Sequence, residues 1–224
     1  MATIVDKPSK QEKPKSATPP AAPPTRRRIN PNVLYIAGGV LVLLALVAWG
    51  VTVSGKRKAE YSARALDDAR AVAESGNLPA ASAALQKVIQ SYAGTAAAEE
   101  AVITLNQVRL VNGQNELAVV NLREFLAKTH DPQYTAAANA LLGTALENAH
   151  KDAEAAAAYR AAAVASPVDY LKAEYLVDAG RAFRTAGKAA DAQAAYQEVI
   201  QKYPKTPSMT EAQVRLSELT DGKL

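Results

Sequence analysis

A repeat of 37 residues is the sequence feature that most limits how this chain can fold. Residues that suit a tight turn recur at this interval, at Gly76, Gly113, His150 and Gly187. Five residues after each of them lies an alanine, and nine residues after each lies a large side chain, namely Ala81, Ala118, Ala155 and Ala192 and then Leu85, Leu122, Tyr159 and Tyr196. Four copies in one register are typical of an array of similar structural units.

Each copy carries a helical pattern. Apolar residues recur three and four positions apart, as at Ala192, Tyr196, Val199 and Ile200, and the alternation expected of strands is missing. A glycine closes a turn between two antiparallel helices at low cost, and the following alanine lets the second helix pack closely on the first. The sequence therefore predicts an all-α array of about four helix pairs over residues 54–224.

The spacing within the last copy resembles the tetratricopeptide repeat. In that family the second helix carries a turn glycine, a small alanine, an aromatic residue, a small residue and a proline, and this chain has Gly187, Ala192, Tyr196, Val199 and Pro204. The resemblance implies a solenoid of helix pairs that serves as a protein-binding scaffold.

The copies also depart from that family pattern. The glycine expected in the first helix is present at Gly143 and Gly180, but Ala69 and Asn106 replace it in the first two units. His130 stands where a proline is expected at the end of unit two, and the period of 37 exceeds the usual ~34 residues. These differences affect the pitch expected for the solenoid more than the helix-pair fold itself.

An apolar segment precedes the repeats. Residues 33–53 contain no charge, and a helix of that length is about 30 Å long, which is the thickness of a bilayer core. Tyr35 and Trp49 lie near its ends, where aromatic rings favour the lipid headgroups. We predict a single transmembrane helix that contacts the lipid bilayer; a cleaved signal peptide is the alternative.

Charge predicts the orientation of this segment. Residues 1–32 are rich in proline and carry seven basic residues, which indicates a disordered basic tail, whereas residues 56–58 supply three more basic residues on the other side. The positive-inside rule places the tail in the cytoplasm and the repeats outside, with the inverted orientation as the alternative. Residues 59–224 are mildly acidic, which argues against nucleic acid as a partner.

The whole layout resembles a narrower family, the YfgM-type ancillary subunits of the bacterial Sec translocon. The resemblance rests on the short tail, the single membrane helix, the start KRKAEYSARALDDARAVAESGN and the repeat PQYTAAANALLGTALENAHKDAEAAAAYRAAA. It implies an inner-membrane protein with a periplasmic repeat domain that binds the Sec translocon and periplasmic chaperones or their clients.

A second resemblance supports an alternative role. The segment YQEVIQKYPKTPSMTEAQVRLSEL is similar to repeats of the Tol-Pal-associated cell-division coordinator and of outer-membrane assembly lipoproteins. This implies a structural coordinator of cell-envelope assembly or division. The lipoproteins attach their lipid to a cysteine, and this chain has none.

The residues that could perform chemistry are few. The chain has two histidines, His130 and His150, both predicted in turns, and no phosphate-binding loop or nucleophile motif. We predict that the protein is not an enzyme and that it has no cofactor, no metal site and no small-molecule substrate.

In tetratricopeptide arrays the first helices line a concave groove, and the resemblance transfers that role residue by residue. The lysine and asparagine set that grips a partner's carboxylate in some relatives is not reproduced, so we expect a mixed polar and apolar groove whose cationic end is Arg181 and Arg184. The positions predicted to bind a partner are Leu66, Arg70, Glu74, Ile103, Gln107, Leu110, Thr144, Glu147, Asn148, Val177, Arg181 and Arg184.

Overall fold

The computed structural model describes residues 31–129 and 131–220 of the chain. The predicted basic tail lies almost entirely outside the described residues, and so does His130. Every regular element in the described ranges is a helix. In chain order the helices span Pro31–Glu74 (α1), Leu78–Ser91 (α2), Ala96–Val111 (α3), Asn115–Leu126 (α4), Pro132–Asn148 (α5), Asp152–Ala165 (α6), Asp169–Thr185 (α7), Ala189–Lys202 (α8) and Ser208–Leu219 (α9).

Helix α1 is 44 residues long and begins with the apolar segment. The chain divides into two units between Trp49 and Gly50, so α1 belongs to both. The side chains of residues 39–49 are exposed on every face of the helix. Within the described residues α1 is the helix that is long and apolar enough to cross a membrane. The boundary predicted after residue 53 falls inside α1, because no proline follows until Pro79.

The unit from Gly50 onward is an array of helix pairs. The last part of α1 shares its core with α2, and α3 with α4, α5 with α6 and α7 with α8 form the following pairs. Helix α9 then packs against α7 and α8. The predicted fold, an all-α tetratricopeptide-like array of about four helix pairs, is confirmed.

The turns between paired helices confirm the predicted register. All four turn positions adopt the left-handed backbone conformation, with φ of 81° at Gly76, 72° at Gly113, 57° at His150 and 74° at Gly187. After the last of these, the Lys188 amide donates to the Phe183 carbonyl oxygen at 2.9 Å, which closes the end of α7. His150 adopts this conformation with a side chain, which is less favourable than with glycine.

The small positions of the second helices are buried in all four units, since Ala81, Ala118, Ala155 and Ala192 are each 0% exposed. The glycines of the first helices are required by a different contact, with an aromatic ring of the second helix. A Cβ atom added to Gly180 would lie 2.4 Å from the Tyr196 ring, and one added to Gly143 would lie 2.7 Å from the Tyr159 ring. These glycines therefore accommodate an aromatic ring of the paired helix.

Units one and two lack this contact because their large residue is leucine. Leu85 stands opposite Ala69, and Leu122 stands in the unit of Asn106, so neither first helix has to make room for a ring. The buried residues also divide into two clusters, and the division lies between α3 and α4. One cluster joins α1, α2 and α3, and the other extends from α4 to α9.

Candidate protein-binding surface

Ion pairs join the first helices of neighbouring units. Arg70 on α1 pairs with Glu100 on α3. Arg181 on α7 pairs with Glu147 on α5 at 2.6 Å, and Arg184 on α7 pairs with Glu218 on α9 at 3.0 Å. The predicted groove residues therefore contribute to the links between units.

Glu147 is the centre of the most connected of these sites. It accepts a hydrogen bond from the Tyr159 hydroxyl at 2.7 Å in addition to the Arg181 pair. The Tyr159 hydroxyl also lies 3.1 Å from the Thr144 hydroxyl. Burial raises the pKa of Tyr159 well above its usual value, so the hydroxyl keeps its proton and donates to the carboxylate.

Arg181 is shared between two carboxylates. Its second contact is Asp178 at 2.9 Å, one turn earlier on the same helix. Burial alone would lower the pKa of Arg181, but the hydrogen bond to Asp178 and the charge of Glu147 raise it instead. Burial raises the pKa of Asp178, and the Arg181 hydrogen bond opposes that effect. The guanidinium thus remains charged and is held between α5 and its own helix.

The two arginines predicted to form the cationic end of the groove do not present free charges. Arg181 and Arg184 are both in ion pairs with residues of the array, so their charge is balanced before any partner arrives. The cause is that carboxylates on α5 and α9 face the two arginines of α7, and the sequence gives no direct sign of that proximity. Their role in binding a partner stays a prediction.

The remaining predicted groove residues differ in accessibility. Val177 is 4% exposed and Leu66 is 3% exposed, so both belong to the core. Ile103 and Leu110 are half-buried against the core. Glu74, Gln107 and Asn148 are exposed, and Asn148 donates to the Asn115 side chain at 3.2 Å. Together with Arg184, these three residues are the exposed members of the predicted set.

A polar cluster lies between α3 and α4, and the sequence analysis missed it. Asn106 is 0% exposed and donates to the Asn121 side chain at 2.8 Å, while Arg109 is 5% exposed and donates to the Asn106 oxygen at 3.3 Å. In the described residues, no carboxylate lies within ion-pair distance of Arg109, and desolvation lowers the pKa of that residue. Leu146 and Phe183 occupy the corresponding positions in units three and four, so Arg109 departs from the repeat pattern.

An open groove lies beside this cluster, between α2 and α4 and above the start of α3. It has a volume of about 350 Å³. Ile89, Val102 and Phe125 form its apolar surface, and the carboxylates of Glu99 and Glu124 lie along it. We call this the unit-one groove. The family resemblance points to the first helices, so the sequence did not predict this groove between second helices.

A smaller groove occupies the corresponding place two repeats later, between α6, α7 and α8. Its volume is about 220 Å³, and charged side chains line it: Arg160, Lys172 and Glu198. Arg160 on α6 and Glu198 on α8 approach to 3.7 Å, so an ion pair spans the groove. We call this the unit-three groove.

The described residues offer little for chemistry. Across residues 31–129 and 131–220, no group of three histidine, cysteine, aspartate or glutamate side chains is placed to hold a metal ion. The arrangements described above are ion pairs, hydrogen bonds and apolar grooves, which suit the recognition of a protein surface.

Comparison with solved structures shows the fold of the chain. The MamA protein structure matches 72% of this chain and 82% of its own length, with 20% identity and a TM-score of 0.57. A tetratricopeptide repeat protein from Parabacteroides merdae matches 71% of this chain and 60% of its own length, with 11% identity and a TM-score of 0.57. No protein-family model and no curated protein sequence matches the chain.

These similarities show the fold. The chain has a tetratricopeptide-like fold, an array of paired helices.

Proposed function

We propose that this protein is a membrane-anchored adaptor of the bacterial inner membrane, with one membrane-spanning helix and a periplasmic repeat domain that binds other proteins. Within that class, we propose that it is an ancillary subunit of the Sec translocon that handles secreted clients or periplasmic chaperones. The observation that carries the proposal is the apolar part of α1, whose described side chains from residue 39 to residue 49 are all exposed.

The apolar part of α1 supports the anchor. Leu41, Leu43 and Leu44 are 68%, 64% and 60% exposed, and their neighbours on the other faces are exposed as well. A helix that exposes apolar side chains all round is costly in water and stable in lipid. Trp49, near the end of this part, is 67% exposed and suits the headgroup region.

The flanking charges support the orientation. The seven basic residues of the tail outnumber the three at residues 56–58, so the tail remains in the cytoplasm and the repeats lie in the periplasm. The chain has no cysteine, so a thiol-linked lipid anchor is excluded and α1 is the attachment.

The repeat domain supports the adaptor role. Ion pairs between first helices, such as Arg184 with Glu218, fix neighbouring units against each other. Exposed polar residues such as Gln107 and Asn148 then lie on a fixed surface, which lowers the entropy cost of binding a partner.

Crosslinking in native membranes tests the partner. The full-length protein is tagged, crosslinked with a short amine-reactive reagent and analysed by mass spectrometry, and a version that retains residues 1–53 but carries an unrelated domain serves as the control. Sec components should be recovered with the full-length protein and not with the control. Recovery of Tol-Pal or peptidoglycan-synthesis proteins alone would instead support the alternative of an envelope-assembly or division coordinator.

Reporter fusions test the orientation separately. Alkaline phosphatase fused after Leu219 should be active, and green fluorescent protein at the same place should be dark after Sec export. A bright green fluorescent protein with inactive phosphatase would place the repeats in the cytoplasm and overturn the periplasmic role.

A further inference from the structure

We infer that the unit-one groove is a docking site for a polypeptide segment that places a lysine or arginine beside an apolar side chain. The inference deepens the proposed function, because it names a surface and the chemistry of its partner. It rests on the adaptor role but not on the identity of the protein that carries the segment.

The two grooves occupy equivalent places, and this makes their difference informative. Ile89 corresponds to Ala163, Val102 to Leu176, and Glu124 to Glu198, each two repeat periods apart. Helices α2, α3 and α4 form the unit-one groove, and the equivalent helices α6, α7 and α8 form the unit-three groove. The side chains that line the two grooves differ in charge and size.

Two cations of the chain itself, Arg160 and Lys172, line the unit-three groove. Glu198 accepts from Lys202 on its own helix at 2.7 Å and pairs across the groove with Arg160 at 3.7 Å. Lys172 adds its aliphatic chain to the lining and pairs with Asp169 at 2.9 Å. A cation of the chain therefore already pairs with the carboxylate of this groove.

The unit-one groove lacks both of those cations. Gln86 stands where the second copy has Arg160, and Ala98 stands where it has Lys172. Lys128 also lines the unit-one groove, but it pairs with Glu124 along their own helix at 2.7 Å and not with Glu99. For residues 31–129 and 131–220, no ion pair crosses from α2 to Glu124. The result is the larger volume, about 350 Å³ against about 220 Å³.

A second carboxylate strengthens the preference for a cation. Glu99 is half-buried in the unit-one groove, where the later units have the buried alanines Ala136 and Ala173. Its contact there is the Thr129 hydroxyl at 3.3 Å, and no cation in the described ranges lies within ion-pair distance. A positively charged partner would stabilise this partly buried carboxylate, which has no cation beside it.

The apolar surface supplies the second part of the recognition. Ile89 and Phe125 are half-buried, and Val102 lies beneath them at the floor of the groove. An apolar side chain entering here removes its own surface and theirs from water. A segment with alternating apolar and basic residues meets the acidic and apolar parts together.

Binding of short peptides to the full-length protein in detergent tests the inference. The probes are fluorescein-labelled LRFRL, its acidic counterpart LEFEL and its apolar-free counterpart SRSRS, and fluorescence anisotropy reports binding. LRFRL should bind about tenfold or more tightly than either counterpart. Equal binding of the three peptides, or no binding of LRFRL, would overturn the inference.

The location is tested by giving the unit-one groove the cation that Arg160 supplies to the unit-three groove. Gln86→Arg introduces the cation of the unit-three groove at an exposed position of α2, so folding is not at risk, and it should weaken LRFRL binding about tenfold. The matched control is Gln197→Arg, which adds the same charge at the equivalent exposed position of α8 and should leave binding unchanged. Equal affinities for the two variants would show that the peptide binds elsewhere and overturn the docking site.

Failure of this test is distinguishable from failure of the proposed function. If Gln86→Arg and the wild type bind LRFRL equally while Sec components are still crosslinked in membranes, the groove assignment is wrong and the adaptor role stands. If Gln86→Arg loses peptide binding while Sec components are never recovered, the groove stands and the assigned partner is wrong.

Discussion

The first two and the last two helix pairs are built on the same repeat but packed differently. In units three and four a glycine on the first helix lies against a tyrosine ring on the second, as with Gly180 and Tyr196. In units one and two the ring is replaced by leucine, and the glycine is replaced by Ala69 or Asn106. The later units share one continuous core, and the division between the two buried clusters falls inside unit two.

The difference teaches how a repeat can vary without losing its fold. Turn and alanine positions are kept in all four units and fix the helix pairs, whereas the ring and its facing glycine change together. Where the ring is absent, polar residues such as Arg109 enter the space between helices and a groove stays open beside them. The continuous core therefore lies mainly in the later units, and the larger open groove lies in the earlier ones.

The largest effect is expected from enlarging the alanine that all units share. Ala192→Leu places three further carbon atoms at a site that is 0% exposed, and overpacking should lower the free energy of unfolding by about 3 kcal/mol. Ala81→Leu in unit one should cost a similar amount, because that site is equally buried. Urea denaturation measures both, and Ala83→Leu on the exposed face of α2 is the control. A neutral Ala192→Leu would mean that the repeat register is wrong.

The glycine and tyrosine pair gives the next largest effect. In Gly180→Ala the new Cβ meets the Tyr196 ring, and the clash outweighs the gain in helix propensity, so unfolding should become easier by about 2 kcal/mol. Adding Tyr196→Leu recreates the alanine and leucine pair of unit one and removes a buried hydroxyl for which the described residues supply no hydrogen-bond partner.

A double-mutant cycle measures the coupling of that pair. The double variant should recover most of the stability that Gly180→Ala loses. Additive losses in the double variant would show that the ring is not the reason for the glycine.

The polar cluster of unit two is a place where a double substitution should increase stability. Asn106→Ala with Arg109→Leu replaces a buried cation by the residue type that unit three has at Leu146, and should raise the free energy of unfolding by about 1 kcal/mol. Asn106→Ala alone should be destabilising, since Arg109 then loses its hydrogen-bond acceptor. Thermal denaturation compares the two variants. A double variant that is less stable than Asn106→Ala would contradict this account of the cluster.

The smallest effect concerns the third turn. His150→Gly removes a side chain from a residue with φ of 57° and should stabilise the domain by about 0.5 to 1 kcal/mol. The reverse change in the last turn, Gly187→His, should cost about the same. Melting temperatures of the two variants should move in opposite directions, and movement in the same direction would refute the assigned role of the turn.

The spacing was enough to predict the local structure. It placed four left-handed turns, four fully buried alanines and the pairing of the helices, because each depends on residues close together in the sequence. The resemblance to a repeat family also supplied the glycines of the first helices, but not the rings that explain them. Their cause became visible only when the facing helix was placed.

The surface was predicted less well. Arg181 and Arg184 were expected at the cationic end of a groove, and their partners Glu147 and Glu218 lie 34 residues away, where only the packing of neighbouring units brings them close. Val177 has the spacing of a groove residue but faces the core. The unit-one groove is open because Gln86 stands where unit three has the cation Arg160. Such a difference can be recognised only by comparing the groove with the equivalent groove of another unit.

Hydrogen exchange of the full-length protein in detergent, with and without LRFRL, tests the central contrast most directly. Amides of α3 and α4 should exchange faster than those of α6 to α8, because the polar cluster weakens the contact of α3 with α4. The peptide should slow exchange around Ile89, Val102 and Phe125 and leave α6 to α8 unchanged. Uniform exchange across the four units, or protection by the peptide at α6 to α8 instead, would contradict the account.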